Sequence, residues 1–293
     1  MTGAYNAVTS KRTYYFALWT FPFRFMVKML TRLVLRIYKK KVLVVFGMSR
    51  SGTSMLGTLL AQSWSSTYLH EPEVNLLKYH YERSNAAGKE KFWDFAHRRV
   101  NKAFEVHMMT CIVLSAVLST PPSMRMICIK PISFLDIMQE ISDALPALRV
   151  LYISRHPAGR IDSVLRQWKR HENVEEVSLA VIEKLGRDWG QTTSEIQAMF
   201  KSHPNWQWVV FEDLANEPIA EFKKLYEKYR LRWDERVQAA IEERTTEKDG
   251  DFYEVQRDSR KQADKWRTAL TAEQVEAIRK GCLPFNTNLY ESF

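Results

Sequence analysis

Lys41 to Gly47, "KVLVVFG", reads as a buried strand running directly into the loop "GMSRSG", Gly47 to Gly52, and Thr53 then opens a helical pattern that reaches about Trp64. A buried strand handed through a glycine-bounded turn to a helix is one half of a βαβ unit, and such units build a parallel sheet with helices on its faces. The same junction makes an anion site, because the first N–H groups of the helix and its dipole point at whatever sits in the loop. The loop is one residue away from the phosphate-binding template G-x-x-x-x-G-K-[ST]. Gly47 and Gly52 keep the spacing and Ser54 keeps the hydroxyl, but Thr53 stands in place of the lysine. A cation appears inside the loop instead, at Arg50.

The rest of the body repeats this rhythm. Met124 to Lys130, Leu148 to Ser154 and Trp206 to Phe211 read as further strands, separated by long amphipathic patterns of helical period. No linker or internal repeat interrupts residues 41–293, so they are expected to form one α/β domain with a central, mainly parallel sheet flanked by helices. Charge sets residues 1–40 apart. The net charge of +9 is uneven: residues 1–70 hold ten Lys and Arg and no acid, and the remainder carries −1. A neutral body argues against a nucleic-acid-binding face. Cys111, Cys128 and Cys282 are far apart and odd in number, which fits neither a disulfide framework nor a structural zinc site.

The basic tail contains eleven uncharged residues, Thr13 to Phe23, too few for a spanning helix, which needs about 20. Pro22 can open a helix. Arg24, Lys28, Arg32, Arg36 and Lys40 then recur at every fourth position beside Phe23, Met26, Val27, Leu30, Val34 and Ile37. Such a pattern suits a helix lying in a membrane interface or a helix packed on the domain with its basic side in water.

A second informative stretch is "ISRHPAGRIDSVLRQW", Ile153 to Trp168. Arg155 ends a strand and Ser163 follows eight residues later on the next helix, so the two can converge on one phosphate, the arginine as a fork and the serine as a neutral donor. Two phosphate grips on one chain point to a nucleotide phosphorylated at both ends. A P-loop kinase or NTPase is the alternative, since "WVVFED" offers Glu212 and Asp213 as a strand-terminal metal site.

With both motifs in view, the chain resembles the sulfotransferases that use 3′-phosphoadenosine 5′-phosphosulfate. Arg50, Ser51, Gly52, Thr53 and Ser54 match the family's [KR]-[SAG]-G-T-[TS], which implies a grip on the 5′-phosphosulfate. Arg155 and Ser163 match its 3′-phosphate motif. "FEDLANEP" and "RDSRKQADKWRTALTAEQ" are similar to two later segments, and the latter implies that basic residues such as Arg257 and Arg260 close over the 3′-phosphate. The resemblance spans about residue 41 to the C-terminus. It implies no metal, a hydroxyl-bearing acceptor such as a glycan, glycolipid or small molecule, and in-line transfer. Met55 replaces the family's adenine-stacking Trp, and Ile132 stands where cytosolic members have a catalytic His. Glu71 then takes the role of general base, as a Glu after the loop helix does in members acting on glycans or tyrosine. Arg50 and Lys130 would stabilise charge on the departing phosphate. A capping role for Glu71, just ahead of Pro72, is the competing reading. The expected location is cytoplasmic, peripheral on a membrane through residues 13–40 rather than anchored in Golgi fashion.

Overall fold

The computed structural model describes residues 2–84, 91–92, 101–131, 135–245, 259–285, 287 and 290. The chain divides into two compact units: Met1–Phe46, Thr53–Leu151 and Leu225–Val237 form the first, and Gly47–Gly52, Tyr152–Lys224 and Gln238–Phe293 the second. Five strands form one sheet in the order β2-β3-β1-β4-β5: β1 Lys41–Phe46, β2 Ser66–His70, β3 Met126–Lys130, β4 Arg149–Ser154 and β5 Gln207–Val210. The α/β reading holds. Every strand foreseen is present within two residues of its expected bounds, and β2 is additional. "STYLH" lacks both alternation and a continuous apolar run, so β2 exists because β3 templates it.

In the first unit β3 pairs with β1 and with β2, both in parallel, with Lys41 and Ser66 each opposite Met126. Val42 to Phe46 and all of β3 are buried, as strands covered on both faces must be. The helices of the N-terminal region belong to this unit. They are α1 Thr2–Val8, α2 Lys11–Thr20 and α3 Arg24–Tyr38, and all three pack on α6 Lys102–Ser119. Between them lie α4 Thr53–Leu60 and α5 Pro72–Arg83. Helix α6 is long and apolar enough to cross a membrane, yet 67% of it is buried inside the structure, where Met108, Met109, Ile112 and Val113 form core. Asn101 starts it, its side chain accepting from the N–H groups of Ala103 and Phe104.

Two expectations for the tail need correction. Pro22 sits in a 3₁₀ turn, Phe21–Phe23, and α3 begins two residues later at Arg24. Lys40 does not extend the basic stripe. Lys39 ends α3 in the left-handed conformation (φ 51°), which turns Lys40 inward. There its ammonium donates to the carbonyls of Val117, Thr120 and Pro121, at and just beyond the C-terminal end of α6. Arg32 is committed in the same way: its guanidinium donates to the carbonyls of Asp143 and Ala144 at the end of α7 Met138–Ala144. Cations at carbonyl-rich helix ends satisfy orphan acceptors and complement the dipole.

In the second unit α8 Pro157–His171 follows β4, with Pro157 at its first position. Helix α9 Leu179–Ser202 packs on α15 Ala272–Cys282. That contact is backbone-close: a Cβ at Gly281 would lie 2.2 Å from the Glu183 carbonyl oxygen. Between them come α10 Phe211–Asn216, α11 Pro218–Tyr229, α12 Glu235–Thr245, α13 Ser259–Asp264 and α14 Trp266–Ala269, of which residues 225–229 of α11 and the start of α12 fall in the first unit. Cys111, Cys128 and Cys282 are free thiols, buried apart.

Candidate functional site

The loop, Arg155 and Ser163 come together in the second unit. Arg50 has φ of 70°, a left-handed conformation that costs a non-glycine residue free energy and is held only by its surroundings. What holds it is a pair of bonds made by residues far along the chain. The Arg50 Nε donates to Ser163 Oγ at 3.1 Å, and the Arg50 carbonyl accepts from Arg155 Nη1 at 3.1 Å. Arg155 Nη2 donates to the Gln262 carbonyl at 2.6 Å, on α13. The Arg155 guanidinium lies 4.5 Å from the ring centre of Phe211, and the Trp189 indole donates to the Arg155 carbonyl. Arg155 is 6% exposed, and burial lowers its pKa to about 10, so it stays charged at neutral pH. Its Nε is buried with no hydrogen-bond partner among the described residues, a charged donor left open in the cradle.

Gly52 closes the loop at φ 93°, and its backbone lies against Phe211: a Cβ there would sit 2.6 Å from Phe211 Cδ2. Only glycine fits, for conformation and for space. Ser51 is buried and Thr53 begins α4. Met55, in the position of the family's stacking Trp, is on α4 and only partly buried.

Three residues of this cluster were not foreseen. Arg160, one turn into α8, donates from Nε to the Ser49 carbonyl at 3.1 Å and so pins the middle of the loop. Its Nη1 is buried and also lacks a partner among the described residues. Phe211 lies under Arg155 and against Gly52. Trp266 stacks on His156, with ring centres 4.6 Å apart and planes 6° apart. His156 caps α8, its Nδ1 accepting from the Ala158 N–H. The one signal in the sequence was the second arginine of "RHPAGR". Arg257 lies outside the described residues; Arg260 is on α13, its side chain also outside them.

Glu212, the apparent metal ligand, is already engaged. One oxygen accepts from the His156 N–H at 3.0 Å and the other from Tyr290 Oη at 3.1 Å. Burial raises its pKa while those bonds and Arg155 oppose the rise. Among the described residues no group of three His, Cys, Asp or Glu side chains is placed to hold a metal ion.

Glu71 and Lys130 meet in the first unit, at the C-terminal ends of neighbouring parallel strands. His70 is in register with Lys130, and the Glu71 N–H donates to the Lys130 carbonyl at 2.8 Å. Glu71 precedes α5 with φ of 46° and makes no capping bond, so its carboxylate is not spent on the helix start. It is paired with the buried Lys130 ammonium. The His70 Nε2 lies 3.6 Å from the same carboxylate, and His70 Nδ1 is 2.9 Å from Tyr68 Oη. Burial lowers the His70 pKa and Lys130 adds to the effect, while Glu71 opposes it. In open α/β sheets ligands bind outside the carboxyl ends of the strands. Within this unit β1, β2 and β3 run parallel, so the edge carrying Glu71 and Lys130 is the edge from which β1 emits its loop.

A family model described as "Sulfotransferase family" matches residues 43–235. Among solved structures, the chain is similar to mouse sulfotransferase SULT7A1 complexed with PAP, at 12% identity and a TM-score of 0.52 over 85% of each chain. It is also similar to sulfotransferase STF9 from Mycobacterium avium, at 13% identity and a TM-score of 0.50, over 86% of this chain and 77% of that one. A search of curated protein sequences finds no match.

Proposed function

Because the chain belongs to the sulfotransferase family, we propose that it moves a sulfuryl group from 3′-phosphoadenosine 5′-phosphosulfate to a hydroxyl of a glycan, glycolipid or small molecule by in-line displacement. The observation that carries the donor assignment is the joining of Arg50, Arg155 and Ser163 by direct hydrogen bonds from three separate points of the chain. The residues fit such a ligand. Arg155 and Arg160 each hold a buried N–H without a partner among the described residues, and phosphate oxygens are the acceptors such donors lack. Arg155 and Ser163 take the 3′-phosphate, and Arg50 to Ser54 take the 5′-phosphosulfate.

For the chemistry, Glu71 takes the proton of the acceptor hydroxyl as its oxygen attacks sulfur, and the bond from sulfur to the 5′-phosphate oxygen breaks. The products are a sulfate ester and adenosine 3′,5′-bisphosphate, with no covalent enzyme intermediate. Lys130, paired with Glu71, holds its carboxylate in place at the end of the strand. With Arg50 it also offsets negative charge on the leaving phosphate. The test is donor labelled in the sulfuryl group, presented with panels of glycans, glycolipids and small hydroxyl compounds. Label appearing as a sulfate ester, with bisphosphate released in equal amount, supports the reading. Donor that binds but passes label to no hydroxyl in any panel overturns it.

A further inference from the structure

Helix α3 presents three faces; the fold buries one and takes only Arg32 from a second. Successive residues are about 100° apart around a helix, so Val27, Thr31, Val34 and Leu35 fall on one side, and all four are buried. Arg24, Lys28, Arg32 and Arg36 occupy the next arc. The third is wholly apolar and open: Met26, Met29, Leu30, Leu33 and Ile37 are exposed by 67, 47, 47, 53 and 63%. Trp19, near the end of α2, is exposed by 76%. Five large apolar side chains in a row on one helix are far more than the scattered exposed residues of an ordinary surface.

We propose that this face docks α3 on a bilayer containing anionic lipids, with its axis in the plane of the interface. The charge pattern selects that occupant. An apolar arc flanked by cations is what a helix lying at the boundary of headgroups and acyl chains requires. Residues 1–70 carry no acid at all; the acids of α7, Glu140 and Asp143, line a cleft with Arg24 and Lys28, and Glu140 is already paired with Lys102. The cations are held near the aromatic rim, Arg24 at 5.2 Å from the Phe21 ring centre and Lys28 at 5.3 Å from that of Phe25. A second copy of the chain fits less well, because a two-fold contact through α3 sets Arg24, Lys28 and Arg36 near their own equivalents with no acid on the helix to compensate. Docking of this kind does not depend on the enzymatic reading.

The experiment is sedimentation of the full chain with phosphatidylcholine vesicles, with and without phosphatidylserine, at low and high salt. The chain pellets with the phosphatidylserine vesicles, and raising the salt releases it. Each basic residue near such a surface is worth about fivefold in partition. Arg24→Gln, Lys28→Gln and Arg36→Gln together therefore weaken partition by about a hundredfold. Leu33→Glu, at an exposed position, abolishes pelleting while its thermal melt matches the parent. A chain that stays in the supernatant, or that pellets equally with both vesicles, overturns the proposal. So does a dimer in sedimentation velocity that Leu33→Glu dissociates, which assigns the face to a second copy.

Discussion

Replacing Arg155 with alanine separates recognition of the 3′-phosphate from general damage to the fold. The side chain makes two bonds to protein, to the carbonyls of Arg50 and Gln262, and keeps Nε open. Losing one charge-assisted bond to a ligand costs about 1.5 to 3 kcal/mol, which is roughly a ten- to hundredfold loss of affinity. Adenosine 3′,5′-bisphosphate should weaken by that factor, whereas 5′-AMP, which lacks the 3′-phosphate, should change little. The two abandoned carbonyls add a separate stability cost of about 1 to 3 kcal/mol each if they stay dry. Ligand binding is therefore measured by calorimetry below the melting transition of the variant, and stability by denaturant titration. Arg155→Lys sharpens the comparison: it retains a charge but cannot fork between two carbonyls and a phosphate, so it should restore only part of the affinity. Equal weakening of bisphosphate and AMP would refute the assignment, because it would mean that Arg155 shapes the loop and leaves the 3′-phosphate to other residues.

Glu71→Gln keeps shape but removes the basic oxygen, and should lower kcat by about 10²-fold or more while bisphosphate affinity is unchanged; near-normal turnover in a steady-state assay would exclude Glu71 as the base. Gly52→Ala forces a Cβ to within 2.6 Å of Phe211 at φ 93°, and should destabilise the chain by about 3 kcal/mol through backbone strain and overpacking. Combining it with Phe211→Ala should recover the steric share, which a double-mutant cycle in urea would reveal. The pKa values of His80 and His107 are both lowered, chiefly by burial and further by Arg83 and Arg24 respectively. Folding therefore favours their neutral forms. Their contribution is complete above the unfolded value of about 6.5 and is lost as pH falls below it. His80 bonds Tyr14, and His107 bonds Thr20 and the Ala17 carbonyl, so acid should loosen α2 first, and His107→Gln should flatten the dependence of the urea midpoint on pH.

The parts of the site legible in the sequence were those written as short spacings. The loop follows its strand by covalent necessity, and eight residues carry Arg155 to Ser163 across a strand end and a helix start. What stayed hidden is set by tertiary packing. Arg160 pins Ser49 only because two stretches of chain 111 positions apart meet, and no local pattern reports that. Phe211 reads as the end of a strand, yet it is the surface on which Gly52 rests. Strand β2 is half polar and takes its conformation from β3. Lys40 misled the periodicity argument because a fourfold repeat has no means of registering that Lys39 has already ended the helix. For α3, sequence showed amphipathicity but not its doubling: Val27 and Val34 face the protein while Met26, Leu30 and Ile37 face outward, and a single apolar class merges the two.

The inward turn at Lys40 also has a mechanical meaning. It rivets the end of α3 to the end of α6, and the next residue, Lys41, begins β1. At about 3.3 Å per residue the six residues of β1 continue from that rivet as a strand roughly 20 Å long, buried from Val42 to Phe46. The tail is therefore less an appendage than a footing: through Lys40 and Lys41 it shares the frame of α6 and β1 within the first unit.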